Sequence, residues 1–149
     1  MGMNRRIIIA THGTFAEGIK ASLKIIYGDV SEIECICAYV DPSIDYQKVF
    51  RDAVARNDYA TTELVVVTDV LGGSVNNEFM ELLGEYPFHL VTGLNLGLLL
   101  GIVCAPVGQT PDQIRETVNE AGKTLVYCND LIDESEQIES EDFWEEVKA

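Results

Sequence analysis

The sequence predicts an α/β fold built on a doubly wound, mainly parallel sheet. Three observations predict it. Short runs rich in β-branched residues alternate with stretches whose apolar residues recur at helical spacing. One run, "ELVVVTD" at residues 63–69, has the continuous apolar centre of a parallel strand covered on both faces. Glycine, proline and capping residues punctuate the chain between the runs. At 149 residues, one domain is the natural reading, with a core that needs neither disulfide nor metal.

The elements follow in order. Residues 5–10, "RRIIIA", read as strand one. Thr14 and Glu17 form a T-x-x-E capping box that starts a helix at Phe15. Phe15, Ile19, Leu23, Ile26 and Tyr27 supply its apolar spacing, and Gly28 its stop. "IECICAYV", residues 33–40, is strand two, broken by Asp41-Pro42. A second helix spans about 45–57, with Tyr46, Val49, Phe50, Ala53 and Val54 on one stripe. Strand three, 63–69, runs into the glycine-rich turn "VLGGS". The next helix runs from Val75 to Leu83, with Ser74 as cap and Gly84 as stop. "PFHLVTG" is a short fourth strand, with Pro87 at its tolerant first position. Asn95 caps a helix through Cys104 that ends at Pro106. Thr110-Pro111 with Gln113 caps a last helix reaching about Leu125. "VYCNDLI", residues 126–132, reads as a fifth, edge strand.

Such a series suits a flavodoxin-like strand order, 2-1-3-4. Ligands bind outside the carboxyl ends of the strands in these sheets. His12 follows strand one and Asp69 follows strand three, so both land on one rim. Unpaired amides at a helix start favour an anion such as phosphate there. Gly13 allows close backbone approach, and Gly72, Gly73 and Ser74 offer amides and a hydroxyl. A carboxylate that holds one imidazole nitrogen leaves the other free to attack, and Asp69 is the candidate for that role. Against this, a lone histidine between strand and helix is commonly a structural hydrogen-bonder, and a D-x-x-G-G turn is a weak signal alone. His89 sits within a short strand without comparable context.

The net charge of −15 argues against nucleic acid as a partner. No run approaches the ~18 apolar residues of a membrane span, and no secretion signal is present, so a cytoplasmic location is expected. The domain is read as residues 1–132 and the acidic tail as 133–149. From Asp130 to Glu146 there are nine acids and no base, a solvated or partly disordered stretch. Phe143 and Trp144 suggest that part of it docks on the body or on a second subunit. Cys35, Cys37, Cys104 and Cys128 have neither CxxC nor close histidine spacing, so they read as reduced core residues, with no metal site.

"ATHG" at His12, "VVVTDVLGGS" at strand three and "VTGLNLGLLL" beyond strand four resemble the IIA (EIIA) components of the mannose-type sugar phosphotransferase system (PTS). The resemblance covers roughly residues 5 to 130. It implies a phosphotransferase that works through a phosphohistidine, without a cofactor. His12 matches the histidine that accepts a phosphoryl group from HPr and passes it to EIIB. Asp69 matches its orienting carboxylate. Ser74 and the amides of Gly72 and Gly73 match the phosphoryl-contacting loop. The membrane components EIIC and EIID are implied only indirectly. The family fold adds an antiparallel edge strand, often exchanged within a homodimer, which would suit "VYCNDLI". The chain carries no EIIB after a linker, so EIIB is expected to be a separate protein. Departures are Val75-Asn76-Asn77 where the family often has Pro-Phe-Asn, Gly97 where it often has Pro, and Ala10 where it often has Gly. None removes a chemical group from the transfer site.

Other functions stay in view. A non-catalytic regulatory or partner-binding module could use the same rim. A receiver domain would need an acidic pair after strand one, where this chain has Ala10-Thr11-His12. Flavin binding would need a Ser/Thr-rich loop at that place.

Overall fold

The computed structural model describes residues 2–137. The elements are β1 (Asn4–His12), α1 (Phe15–Tyr27), β2 (Ile33–Ala38), α2 (Tyr46–Ala55), β3 (Thr62–Thr68), α3 (Ser74–Leu82), β4 (His89–Thr92), α4 (Leu96–Cys104), α5 (Pro111–Gly122) and α6 (Cys128–Gln137). The four strands form one parallel sheet in the order β2-β1-β3-β4, a flavodoxin-like α/β fold.

Alternation along the strands builds two apolar layers, because successive side chains point to opposite faces. Ile7, Ile9, Val65 and Val67 face α1, α4 and Ile114 of α5. Ile8, Ala10, Leu64 and Val66 face α2 and α3, where the Phe50 and Phe79 rings meet at 4.9 Å. Burial on both sides explains the unbroken apolar run of β3. The Arg5 guanidinium donates to the Ile102, Val103 and Ala105 carbonyls, so β1 also holds the end of α4.

Two expected caps form. Asn95 Oδ1 accepts from the Leu98 amide, and Thr110 with Gln113 makes a reciprocal capping box. Several expectations are corrected. Residues 128–137 are helix α6 rather than a fifth strand, and the sheet of the described residues has no antiparallel member. "CNDLIDESEQ" is rich in acids and amides that suit strands poorly. Phe143 and Trp144 lie outside the described residues. α5 ends at Gly122, not Leu125. α1 buries Ala16, Ile19 and Leu23, whereas Phe15, Ile26 and Tyr27 are exposed. Cys35 and Cys37 pack against the core, but Cys104 and Cys128 face solvent.

Candidate functional site

Strand register places the site. In β1, His12 pairs with Ala38 of β2, while Ala10 pairs with Thr68, the last residue of β3. β1 therefore projects past β3, and Asp69 comes up beside its end. Asp69 Oδ2 accepts from the His12 backbone N–H and lies at hydrogen-bond distance from His12 Nδ1, both at 2.8 Å. The other oxygen, Oδ1, accepts from the Val70 amide at 3.0 Å. Burial pushes the Asp69 carboxyl up, but the His12 amide and ring hydrogen bonds outweigh that and hold it below its ordinary value. The carboxylate is thus ionised at neutral pH and acts only as an acceptor. In neutral imidazole the proton then belongs on Nδ1, and the lone pair on Nε2. The His12 side chain is 45% exposed, against 11% for Asp69, so the ring is anchored at one nitrogen and open at the other.

Nε2 faces Ser74 Oγ at 3.3 Å. The expected cap role of Ser74 is corrected. Gly73 is the N-cap, Ser74 is the first helical residue, and no side chain caps the α3 start. The first amides of α3 are therefore free of side-chain partners on the Ser74 side of the ring. The turn leading there needs glycine. Gly72 has φ of +80°, and a Cβ on Gly73 would come within 2.8 Å of Val70 Cγ1 and 3.3 Å of His12 Cε1.

The other helix start differs from expectation. The Thr14–Glu17 capping box does not form: Thr14 has φ −90° and ψ 12° and makes no capping hydrogen bond. The buried Thr11 hydroxyl accepts the Ala16 amide instead, at 2.9 Å. The Gly13 amide is committed as well, donating to the Ala38 carbonyl at 2.9 Å. The Gly73 amide closes its own turn onto the Val70 carbonyl at 3.2 Å. Of the expected anion-binding groups, Ser74 has the clearest line to Nε2.

Of the departures from the resembled pattern, Ala10, Val75 and Asn76 lie inward, and Gly97 is exposed. Val75 and Asn76 are buried, and Thr68 Oγ1 donates to Asn76 Oδ1 at 2.7 Å. Asn77 Nδ2 donates to the Gly72 carbonyl at 3.2 Å, bracing the turn. His89 stands at the opposite end of the sheet, at the start of β4. Its Nε2 lies 3.5 Å from Glu63 Oε1, and that carboxylate also accepts the Gly108 and Gln109 amides. No group of His, Cys, Asp and Glu among the described residues is arranged to hold a metal ion. A cavity of about 570 Å³ opens between α4 and α5, but none of its lining residues belongs to the His12 rim.

The family described as "PTS system fructose IIA component" matches residues 6–119. The chain belongs to the PTS EIIA family. Solved structures agree with EIIA membership. A protein described as a phosphoenolpyruvate-dependent sugar PTS permease from Klebsiella pneumoniae is 40% identical, with 89% of this chain and 96% of that one covered and a TM-score of 0.80. EIIA from Streptococcus agalactiae is 26% identical, over 84% and 98% of the two chains, at a TM-score of 0.70. The mannose/sorbose-specific IIA subunit from Enterococcus faecalis is 22% identical, over 84% and 95%, at a TM-score of 0.70, and speaks to the fold alone. No helix among the described residues of this EIIA chain is long and apolar enough to cross a membrane.

Two features of the EIIA rim escaped the sequence reading. Tyr39 follows β2, with its ring 5.4 Å from that of His12 and its hydroxyl donating to Ser74 Oγ at 2.9 Å. The available signal was topological, since β2 neighbours β1 and its carboxyl end must share the rim. The second feature is an apolar collar. Phe15, Val40, Val70 and Leu71 are all exposed within a few residues of His12, Tyr39 and Asp69.

Proposed function

We propose that this chain is a PTS phosphocarrier: His12 accepts a phosphoryl group from phospho-HPr and passes it to EIIB, in step with sugar uptake. The observation that carries this reading is the two-sided state of the imidazole. Nδ1 is held against the Asp69 carboxylate at 2.8 Å, and Nε2 is exposed beside Ser74. The Nε2 lone pair forms the new N–P bond. The donor histidine nitrogen departs with the electron pair of the old one. His12 keeps its Nδ1 proton throughout and becomes a phosphorylated imidazolium, whose positive charge Asp69 stabilises. The phosphoryl oxygens are met by the Ser74 hydroxyl and the positive end of α3. Transfer of this kind needs placement and charge stabilisation more than covalent machinery, and so needs no cofactor.

An exposed nucleophile suits a donor that is itself a protein. The collar of Phe15, Val40, Val70 and Leu71 supplies apolar surface on which HPr and EIIB can dock in turn. EIIC and EIID are reached only through EIIB, and the exchange takes place in the cytoplasm. A homodimer completes the reading. Leu125, Val126 and Tyr127 are consecutive, apolar and exposed, a stretch that a second copy would cover. Light scattering of Tyr127→Glu should then report a smaller particle than the parent chain. For the transfer itself, incubation with phosphorylated HPr should add one acid-labile phosphoryl group, detected by mass spectrometry. Labelling that persists in His12→Ala would refute the assignment.

A further inference from the structure

Tyr39 has no role in the reaction as described, yet its backbone conformation is unusual. It is the one non-glycine residue with positive φ among the described residues, at +67°. Side chains with a Cβ rarely adopt that backbone, and such outliers tend to mark sites where geometry is imposed. Its ring is clamped between His12, at 5.4 Å, and Tyr46, at 5.5 Å in an edge arrangement. Tyr46 is itself fixed, because its hydroxyl accepts the Asp41 amide and its ring packs on Phe50.

The proton count then assigns a direction to each hydroxyl. A hydroxyl has one proton to donate. The Tyr39 hydroxyl donates its proton to Ser74 Oγ at 2.9 Å. The Ser74 proton must point elsewhere, and its other neighbour is the Nε2 lone pair at 3.3 Å. Nδ1 is already engaged with Asp69. The chain Tyr39 to Ser74 to His12 is therefore polarised toward the nitrogen opposite the carboxylate.

We infer that Tyr39 is a positioning residue for phosphoryl transfer, acting through Ser74. By occupying a lone pair of Ser74 Oγ, it fixes the oxygen and keeps the Ser74 proton aimed at the reacting position. When Nε2 gives its lone pair to phosphorus, that proton turns to a phosphoryl oxygen while Tyr39 still holds the serine. The inference rests on the reading of His12 as the acceptor.

The test is a double-mutant cycle with two phosphoryl donors. Tyr39→Phe keeps the ring and changes only the hydroxyl, and its unaltered thermal midpoint should show that the fold is retained. With phospho-HPr, kcat should fall about ten-fold in Tyr39→Phe with KM unchanged, the loss of one oriented hydrogen bond in the transition state. With phosphoramidate, a small donor that needs no protein docking, the labelling rate of His12 should fall by a similar factor. In a Ser74→Ala background, Tyr39→Phe should cost less than about two-fold with either donor, because the pair acts as a unit. Parent-like rates in Tyr39→Phe would overturn the inference. So would an undiminished cost in Ser74→Ala, which would mean that Tyr39 touches the phosphoryl group directly. A parent chain labelled by phosphoramidate but not by phospho-HPr would sink the carrier reading alone. A parent chain labelled by neither would overturn both.

Discussion

One oxygen of Asp69, Oδ2, holds His12 at two points, the backbone amide and ring Nδ1, each at 2.8 Å. The same acceptor therefore fixes where the β1 end stands and which way its imidazole turns. Asp69→Asn tests the second function. An amide nitrogen can donate to Nδ1 and move the ring proton to Nε2, the atom that must attack. Transfer from phospho-HPr should slow by roughly 10²- to 10⁴-fold, the scale seen when a histidine partner stops setting the tautomer. Ring ¹⁵N spectra should show the proton shift without any partner present.

Acid should weaken the same contact. The Asp69 carboxyl is held below its ordinary value of 3.8 in the folded chain, through hydrogen bonds from His12 that outweigh burial. A depressed folded pKa contributes stability that is complete above the unfolded value and is lost as pH falls through the folded one. Glu34 behaves alike below its ordinary 4.5, through the Arg6 hydrogen bond first, opposed by burial and helped by Arg56. Urea unfolding should show a stability gap between the parent and Asp69→Asn at neutral pH that narrows below about pH 4. A gap that is constant across that range would contradict the assignment.

Gly73→Ala should separate stability from transfer. Its Cβ would press on Val70 Cγ1 at 2.8 Å, and on the Val70 carbonyl oxygen and His12 Cε1 at 3.3 Å each. The carbonyl belongs to the backbone and cannot simply turn away, so the stability cost should be about 1–3 kcal/mol. The ring must also shift, and misplacement of a reacting group by a fraction of an ångström is costly, so labelling should fall by at least about ten-fold. Equal labelling in the two proteins would show that the ring has more freedom than its contacts suggest.

The layer beneath α2 and α3 gives a control far from the chemistry. Leu82 is buried there, at the end of α3 away from Ser74. Leu82→Ala should cost about 2–5 kcal/mol in denaturant unfolding. Its folded fraction should still label normally with phospho-HPr.

What was legible in the sequence follows from how local each signal is. β3 was readable because burial on both faces demands an unbroken apolar run. Asn95 and Thr110 were readable because their bonding partners lie three residues away. Thr14 misled because a cap needs extended backbone as well as the right side chain, and Thr11, further back, took a helix-start amide. Residues 126–132 misled because Val126, Tyr127, Leu131 and Ile132 resemble a strand over seven positions, while the helical pattern shows only across the acidic residues that follow. The commitment of the Gly13 amide and the closeness of Tyr39 both depend on β1–β2 register, which a single chain does not spell out. His12 and Asp69 were placed on one rim because topology alone brings the ends of β1 and β3 together.

The double hold of Asp69 on His12 makes the sheet part of the aiming mechanism. The imidazole cannot be steered independently of the lateral alignment of β1 and β3. Packing faults that let the strands slide, at Ile9 or Val67 for instance, would spoil the bearing of Nε2 before they melted the domain. Reactivity at the rim would then serve as an early gauge of strain in the interior.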